Sequence, residues 1–454
     1  MNRTPFQLTR PGCAIVVCTA VLCGVGLACI YATEQTGDPP AAEHVNTVKQ
    51  IVFAAVGIGV GLVLLRIGYQ RVARHAYLLF AVALILLIPP TIAKLASFEF
   101  AGLVPGRRGA HRWIQLPGFQ LQPSEFMKIA YVLALAWYLR YRKNYRTLRG
   151  VTVPIVLSVV PMLLILVEPD LGTVLLLIPV LFALLFAAGA RKRHLALFFG
   201  IAFVAVPFVW EGIAPYQRLR ITGLLLQSES LRARMLAHPQ RYAHLCTERQ
   251  ARQWERDSGW QLAGSKAALG SGGLIGQGWG RGTYVAHKFL LPDRHNDFVF
   301  ALVGHQWGLV GCIVVLACYV GIVIAAAEIA SATVEPFGRL LAVGIMALVA
   351  TQVLINVGMT AGLIPITGMT LPFVSYGGSS LLTSFAAAAL LISVSRHRPF
   401  MLARKPFDYA ESALGGQPVI PIDRPAGGPA PVAEEPAASE SCRRDATDVP
   451  PTQR

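Results

Sequence analysis

Apolar runs long enough to cross a bilayer recur from about residue 12 to about residue 395. A hydrocarbon core about 30 Å thick takes about 20 apolar residues in a helix. Inside lipid each backbone N–H and C=O must be satisfied within the protein, so runs of this length are predicted to be helices. They divide into about ten spans, near 12–32, 47–68, 75–97, 124–141, 151–168, 170–190, 194–213, 297–327, 338–362 and 374–395. Charged residues make up only 14% of the chain, against roughly 25% in soluble domains. The expected fold is an all-α polytopic membrane protein, with a long extracytoplasmic loop at 214–296 before the eighth span.

Lys and Arg set the orientation. Arg3 and Arg10, the cluster Arg66, Arg71 and Arg74, the run Arg140 to Arg149, Arg191 to Arg193, and Arg396 with Arg398 belong to one set of loops. That side is the cytoplasm by the positive-inside rule, with both termini on it. Loops 33–46, 168–170 and 363–373 carry no Lys or Arg. Loop 98–123 faces outward yet holds Arg107, Arg108 and Arg112, for which an anionic ligand is one reason. The net charge of +16 is spread over short loops and makes no aromatic-lined stripe, so no nucleic-acid partner is expected. The eight cysteines show no CxxC or Cys/His spacing. They are expected to be small apolar side chains. The N-terminal run lacks a small-x-small cleavage site and is not read as a signal peptide.

Residues 1–11 and 399–454 are expected to flank a transmembrane domain over 12–398. The tail is rich in Pro, Ala, Gly and Glu from about Ala413 and is expected to be disordered. Ser228 to Asp257 is Arg-rich and reads as surface helix, while Gly264 to Gly282 reads as a glycine-rich loop.

Four polar segments fall on the outward side. They are Arg107 to Gly118 leading to Gln122-Pro-Ser-Glu125-Phe-Met-Lys128; Glu168-Pro-Asp170-Leu-Gly-Thr173; Gly264-Ser-Lys266 to Gly276 leading to His295-Asn-Asp297-Phe298; and Pro365-Ile-Thr-Gly368 leading to Pro372-Phe-Val-Ser375-Tyr376-Gly-Gly-Ser379-Ser380. Ionisable residues at helix mouths are functional-site candidates, and clustering on one side suggests a shared site. Each has a plainer reading. Asp297 and Asp170 suit helix caps. Pro123-Ser124-Glu125 suits a helix start, and Glu125 and Lys128, spaced i, i+3, suit a pair on one face. The glycines fit no phosphate-loop pattern. Ser375-Tyr376-Gly377-Gly378 reads as a bent helix entry, since no Gly-x-Ser-x-Gly elbow surrounds Ser375.

In this order, these motifs resemble the SEDS family, which includes the RodA and FtsW proteins, from about residue 12 to 398. The resemblance implies a peptidoglycan glycosyltransferase in the bacterial cytoplasmic membrane. It would polymerise lipid II on the outer face beside a class B penicillin-binding protein and other elongation or division machinery. The family's essential aspartate falls on Asp297. Chemistry agrees: the attacking sugar hydroxyl must lose its proton, and one positioned carboxylate can take it. The diphosphate leaving group needs no acid, but it needs cations or a metal ion to hold its charge. Arg112, Lys128 and Lys266 are the candidate cations, Ser375 and Tyr376 further substrate contacts, and Glu125, Asp170 and His295 supports. A divalent cation, Mg²⁺ or Mn²⁺, is a possible cofactor. The polyprenyl tails would lie between helices among membrane lipids.

Where the family usually has a Glu-Glu pair, this chain has His305-Gln306, about 12 Å along a helix from Asp297 at 1.5 Å per residue. The Arg-rich segment 228–257 looks longer than usual and is expected to be a neutral insertion or to mark a different partner. Motif details lean both to RodA and to FtsW. The rival readings are a lipid II flippase or lipid-linked carrier, and a catalytically silent scaffold for the penicillin-binding partner.

Overall fold

The computed structural model describes residues 8–36, 44–96, 104–105, 111–117, 119–141, 148–212, 215–238, 240–242, 247–256, 258–287, 289–292 and 294–396. Arg107, Arg108, Cys246, Cys442 and the tail lie outside them.

The chain runs through α1 (Arg10–Gln35), α2 (Val45–Ile67), the short α3 (Tyr69–Arg74) and α4 (Ala76–Ala96) to a hairpin of β1 (Ile114–Leu116) and β2 (Phe119–Leu121). Then come α5 (Pro123–Leu139), α6 (Leu148–Val167), α7 (Leu171–Ala187) and α8 (Lys192–Gly212). The long loop holds α9 (Pro215–Leu226), α10 (Glu229–Ala237), α11 (Glu248–Arg256), α12 (Ser258–Ser271) and α13 (Thr283–Ala286). Three helices close the fold: α14 (Val299–Ala332), α15 (Pro336–Thr360) and α16 (Gly378–Arg396). Each predicted span falls on a helix. Among the described residues seven helices, α1, α2, α4, α6, α14, α15 and α16, are long and apolar enough to cross a membrane.

Helices α15 and α16 are the most enclosed of the seven. Helix α15 packs against α5, α7 and α14, and α16 against α2. Of the glycines in Gly57-x-Gly59-x-Gly61, a Cβ on Gly57 would lie 2.4 Å from the Phe385 ring, while Gly59 faces open space. Gly57 and Gly61 thus make the small-residue face that lets α2 approach α16 closely.

Three local expectations need correcting. The glycine-rich stretch does not begin as a loop: Gly264 to Ser271 lies within α12, because Leu262, Ser265 and Ala268 bury one helical face. The Arg-rich segment is not one solvated helix. Helices α10 and α11 bury Met235, Ala251 and Trp254 against Leu226 and Leu262. The segment thus contributes to a small core within the loop. Residues 114–121 pair as an antiparallel hairpin, a unit signalled by Pro117-Gly118 between two alternating runs and missed in the sequence.

Candidate functional site

Helices α5, α7, α14 and α16 start at one end of the bundle, where α6 and α15 finish, and the polar motifs meet there. Asp297 stands one residue before the N-cap of α14, which is Phe298. The helix begins two residues after Asp297, so the predicted helical separation between Asp297 and His305 covers helix only from Val299 onward. Asp297 is half-buried. Its Oδ2 lies 3.5 Å from where a Cβ on Gly368 would sit, in the turn before α16.

The backbone carrying Asp297 is held at three successive carbonyls. The Tyr376 N–H donates to His295 O at 2.9 Å. Ser375 Oγ donates to Asn296 O at 2.6 Å. Asn356 Nδ2 donates to Asp297 O at 2.9 Å and to Met369 O at 2.6 Å. Ser375 Oγ also accepts from Leu371 N at 2.7 Å, so this buried hydroxyl is committed to the turn that faces Asp297. The His295 ring meets Tyr376 edge-on, with centroids 5.7 Å apart. The Tyr376 phenol is pushed above its ordinary pKa, first by burial and then by the nearby Glu34 charge.

A second cluster lies in the turn between α6 and α7. Arg112 is buried there and donates through Nε to Glu168 O at 3.1 Å and through Nη2 to Pro169 O. Asp170 caps α7 by accepting from Thr173 N at 3.3 Å, as its sequence position suggested. It also accepts from Ser124 Oγ at 3.0 Å, which ties α7 to α5. Ser124 is therefore a bridge, and the N-cap of α5 is Gln122. Burial, then the charge on Asp170, raises the Glu168 carboxyl to about 9. Burial acts upward on Asp170 too, but Arg112, Thr173 and Ser124 outweigh it and hold that carboxyl below its usual value.

Lys128 and Glu125 form a buried ion pair, with Nζ 2.7 Å from Oε2. Lys128 also reaches Gln352 Oε1 at 3.4 Å, and Gln352 Nε2 donates to Thr370 O at 2.8 Å. Thr370 shares a hydrogen bond with Ser380 at 2.7 Å. This relay joins α5, α15 and α16 beneath the Gly368 turn. An apolar crevice walled by Ile15, Ile345, Leu348 and Leu391 opens onto Lys128 and Gln352. Lys266 stands apart. It is exposed and donates to Gln227 Oε1 at 2.6 Å on the long loop.

Near its start α14 is broken at Gly308, whose φ of 62° and ψ of −156° suit only glycine. The glycine-rich strap after α12 fills the break. Gln277 N and Gly278 N donate to His305 O and Gln306 O at 2.9 and 3.1 Å, while Leu309 N and Val310 N donate to Gly273 O and Leu274 O at 2.9 and 3.1 Å. Side chains add to this contact. Gln306 Oε1 accepts from Gly280 N at 3.0 Å, and His305 Nδ1 bonds Ser271 Oγ at 2.7 Å. The pair that departs from the family pattern therefore fastens the strap with neutral groups.

Among the described residues, no three His, Cys, Asp or Glu side chains gather at metal-ligating spacing. Gln352 and Asn356, two polar residues on one face of the apolar α15, were missed as site residues. Their signal was a polar i, i+4 pair inside a membrane span.

Residues 13–399 match the family model of the cell cycle proteins FtsW, RodA and SpoVE. The chain is 35% identical over 402 residues to a probable peptidoglycan glycosyltransferase FtsW of Trichlorobacter lovleyi, covering 87% of this chain and 95% of that one. It is 33% identical over 296 residues to the peptidoglycan glycosyltransferase MrdB of Escherichia coli, covering 65% and 73%. A chain of a solved peptidoglycan synthase complex superposes with a TM-score of 0.64 at 26% identity, over 87% of this chain and 99% of that one. RodA of Thermus thermophilus shares the fold, with a TM-score of 0.56 at 24% identity over 85% and 96%. With its apolar helices and these relatives, this multi-pass membrane protein belongs to the FtsW/RodA/SpoVE family.

Proposed function

We infer that this chain is a peptidoglycan glycosyltransferase that extends glycan strands from lipid II, with Asp297 as general base. The observation that carries the reading is the placement of Asp297: off the helix, half-buried, beside the Gly368 turn, on a backbone held at three points. A base must sit within hydrogen-bond reach of the hydroxyl it deprotonates. A carboxylate on a fixed backbone next to a glycine leaves room for a sugar to approach.

In the reaction the acceptor hydroxyl attacks the anomeric carbon of the polyprenyl-diphosphate donor. The new C–O bond forms as the bond to diphosphate breaks, and the hydroxyl proton passes to Asp297. Inversion by a single displacement needs one carboxylate, unlike glycoside hydrolysis, which uses two. Arg112 and Lys128 are both engaged by protein groups, so their contribution is to fix the α5–α7 mouth. The site faces outward, both termini lie in the cytoplasm, about ten helices cross the membrane, and a class B penicillin-binding protein crosslinks the product.

The test is glycan formation from labelled lipid II by the full-length protein, with and without its cognate penicillin-binding partner. Wild type is expected to polymerise, and Asp297→Asn to fall by about 10²–10⁴-fold while still binding lipid II. Equal rates for the two would overturn the assignment.

A further inference from the structure

The catalytic segment is clamped from α15, and the clamp has one feature that packing alone does not require. Asn356 is fully buried. Its Nδ2 donates to two carbonyls, Asp297 O at 2.9 Å and Met369 O at 2.6 Å. Its Oδ1 is buried without a hydrogen-bond partner. An amide –NH₂ carries two protons on one nitrogen, so it can bridge two carbonyl oxygens at once. The bridge leaves the side chain's own acceptor unpaired, and buried polar atoms are normally satisfied. Two acceptors facing one nitrogen also fix the sense of the amide, because the flipped amide would set oxygen against oxygen.

The two bridged carbonyls belong to the two strands of chain that define the site. One is the peptide of Asp297. The other is Met369, the residue after Gly368, which lies against the Asp297 carboxylate. Asn356 therefore fixes the spacing between the base and the turn that faces it. The other two clamps, Ser375 Oγ on Asn296 O and Tyr376 N on His295 O, come from farther along the same turn. Of these three clamps, Asn356 is the one that reaches from a separate and enclosed helix, so it ties both strands to the bundle core.

We propose that Asn356 is a positioning residue for the transfer reaction, setting the distance between Asp297 and the Gly368 turn where the acceptor sugar enters. This rests on the reading of Asp297 as base. Asn356 touches neither reacting atom. Its loss moves the base relative to the bound acceptor, and misplacement on the scale of 1 Å costs about 100-fold in rate.

The test uses the full-length protein with its penicillin-binding partner and labelled lipid II at varied concentration. Initial rates are compared for wild type, Asn356→Ala, Asn356→Asp and Asp297→Asn, with lipid II binding and thermal midpoint measured alongside. Asn356→Asp keeps the volume but replaces the donor with an acceptor. Both Asn356 variants are expected to lose about 10- to 100-fold in kcat. KM and lipid II binding should stay within about twofold, the pattern of an interaction used only in the transition state. Adding Asn356→Ala to Asp297→Asn should cost little further, because there is no base left to position. Should the alanine form fail to fold, Asn356→Ser, which keeps one hydroxyl donor, carries the same comparison. Wild-type kcat in a folded Asn356 variant overturns the proposal. So does a fall in kcat that tracks an equal loss of lipid II binding, or one that persists in full on the Asp297→Asn background. An active Asp297→Asn would instead sink the base assignment, whatever Asn356 does.

Discussion

Glu168 and Asp170, separated only by Pro169, are held in opposite charge states. Burial and the Asp170 charge lift the Glu168 carboxyl to about 9, so it is protonated at neutral pH. Asp170 stays ionised beside Arg112, Thr173 and Ser124. Two carboxyls share one turn because only one of them carries charge.

This turn should make stability depend on pH in a definite sense. A carboxyl raised from 4.5 to about 9 on folding contributes fully below about pH 4.5, and that contribution is lost as pH rises through 9. Asp170 acts oppositely, since its lowered carboxyl loses its contribution as pH falls. Glu168→Gln should therefore raise the thermal midpoint in detergent by a few degrees (about 2–4 °C) at pH 8–9, with little change near pH 5. A midpoint difference that stays constant across this range would contradict the assignment.

Asp297→Glu separates a base from a spacer. It keeps the carboxylate but moves it by about one methylene, and base catalysis tolerates little displacement. Polymerisation should drop by at least about tenfold with lipid II binding retained. Turnover near wild type would argue that the residue only holds its loop.

The Glu125–Lys128 pair is buried on both sides. Removing one partner strands a charge and costs about 3–5 kcal/mol. Lys128→Met and Glu125→Gln should each lower the unfolding midpoint more than the double variant does. A double-mutant cycle without coupling would count against a paired role.

Gly308→Ala should be among the most damaging single-methyl changes in the chain. Its Cβ would lie 2.5 Å from Gly276 N and from Leu274 O, at a backbone conformation that side chains avoid. The strap is expected to detach, giving protease cleavage within 272–282. Wild-type protease resistance would show that the break is dispensable.

Trp254→Ala empties the centre of the long loop's small core, where Gly223 and Gly259 pack directly on the indole. Such truncations cost about 3–5 kcal/mol, which should act locally. Hydrogen exchange should quicken across α9 to α12 and leave α15 and α16 unchanged. Exchange that rises everywhere, or nowhere, would refute an independent core.

The positions of the helices were legible because apolar length is a direct demand of the bilayer. The choice of Asp297 as candidate base rests on charge at a helix mouth and on motif order. Its local geometry was not legible: Asp is a good cap residue, yet Phe298 takes the cap position. Lys128 read equally well as ligand or partner, and its 2.7 Å distance to Glu125 shows the pairing. Arg112 looked like a free anion site, but it donates to the carbonyls of Glu168 and Pro169, 56 and 57 residues away. The bridging role of Asn356 was not legible because its two acceptors come from segments distant in sequence. Long-range hydrogen bonds of this kind leave no local periodicity to read.

The place of the strap in the chain bears on assembly during synthesis. The strap precedes α14 in the chain, so the ribosome releases Gly272 to Gly280 before the helix whose open turn they complete. When the first turns of α14 arrive, their partners for Leu309 N and Val310 N already exist. Had the order been reversed, a helix with exposed amides would wait in a solvent that offers them nothing. A circular permutant with the long loop moved behind α14 should insert with a lag at that point, even though every contact in the finished protein is the same.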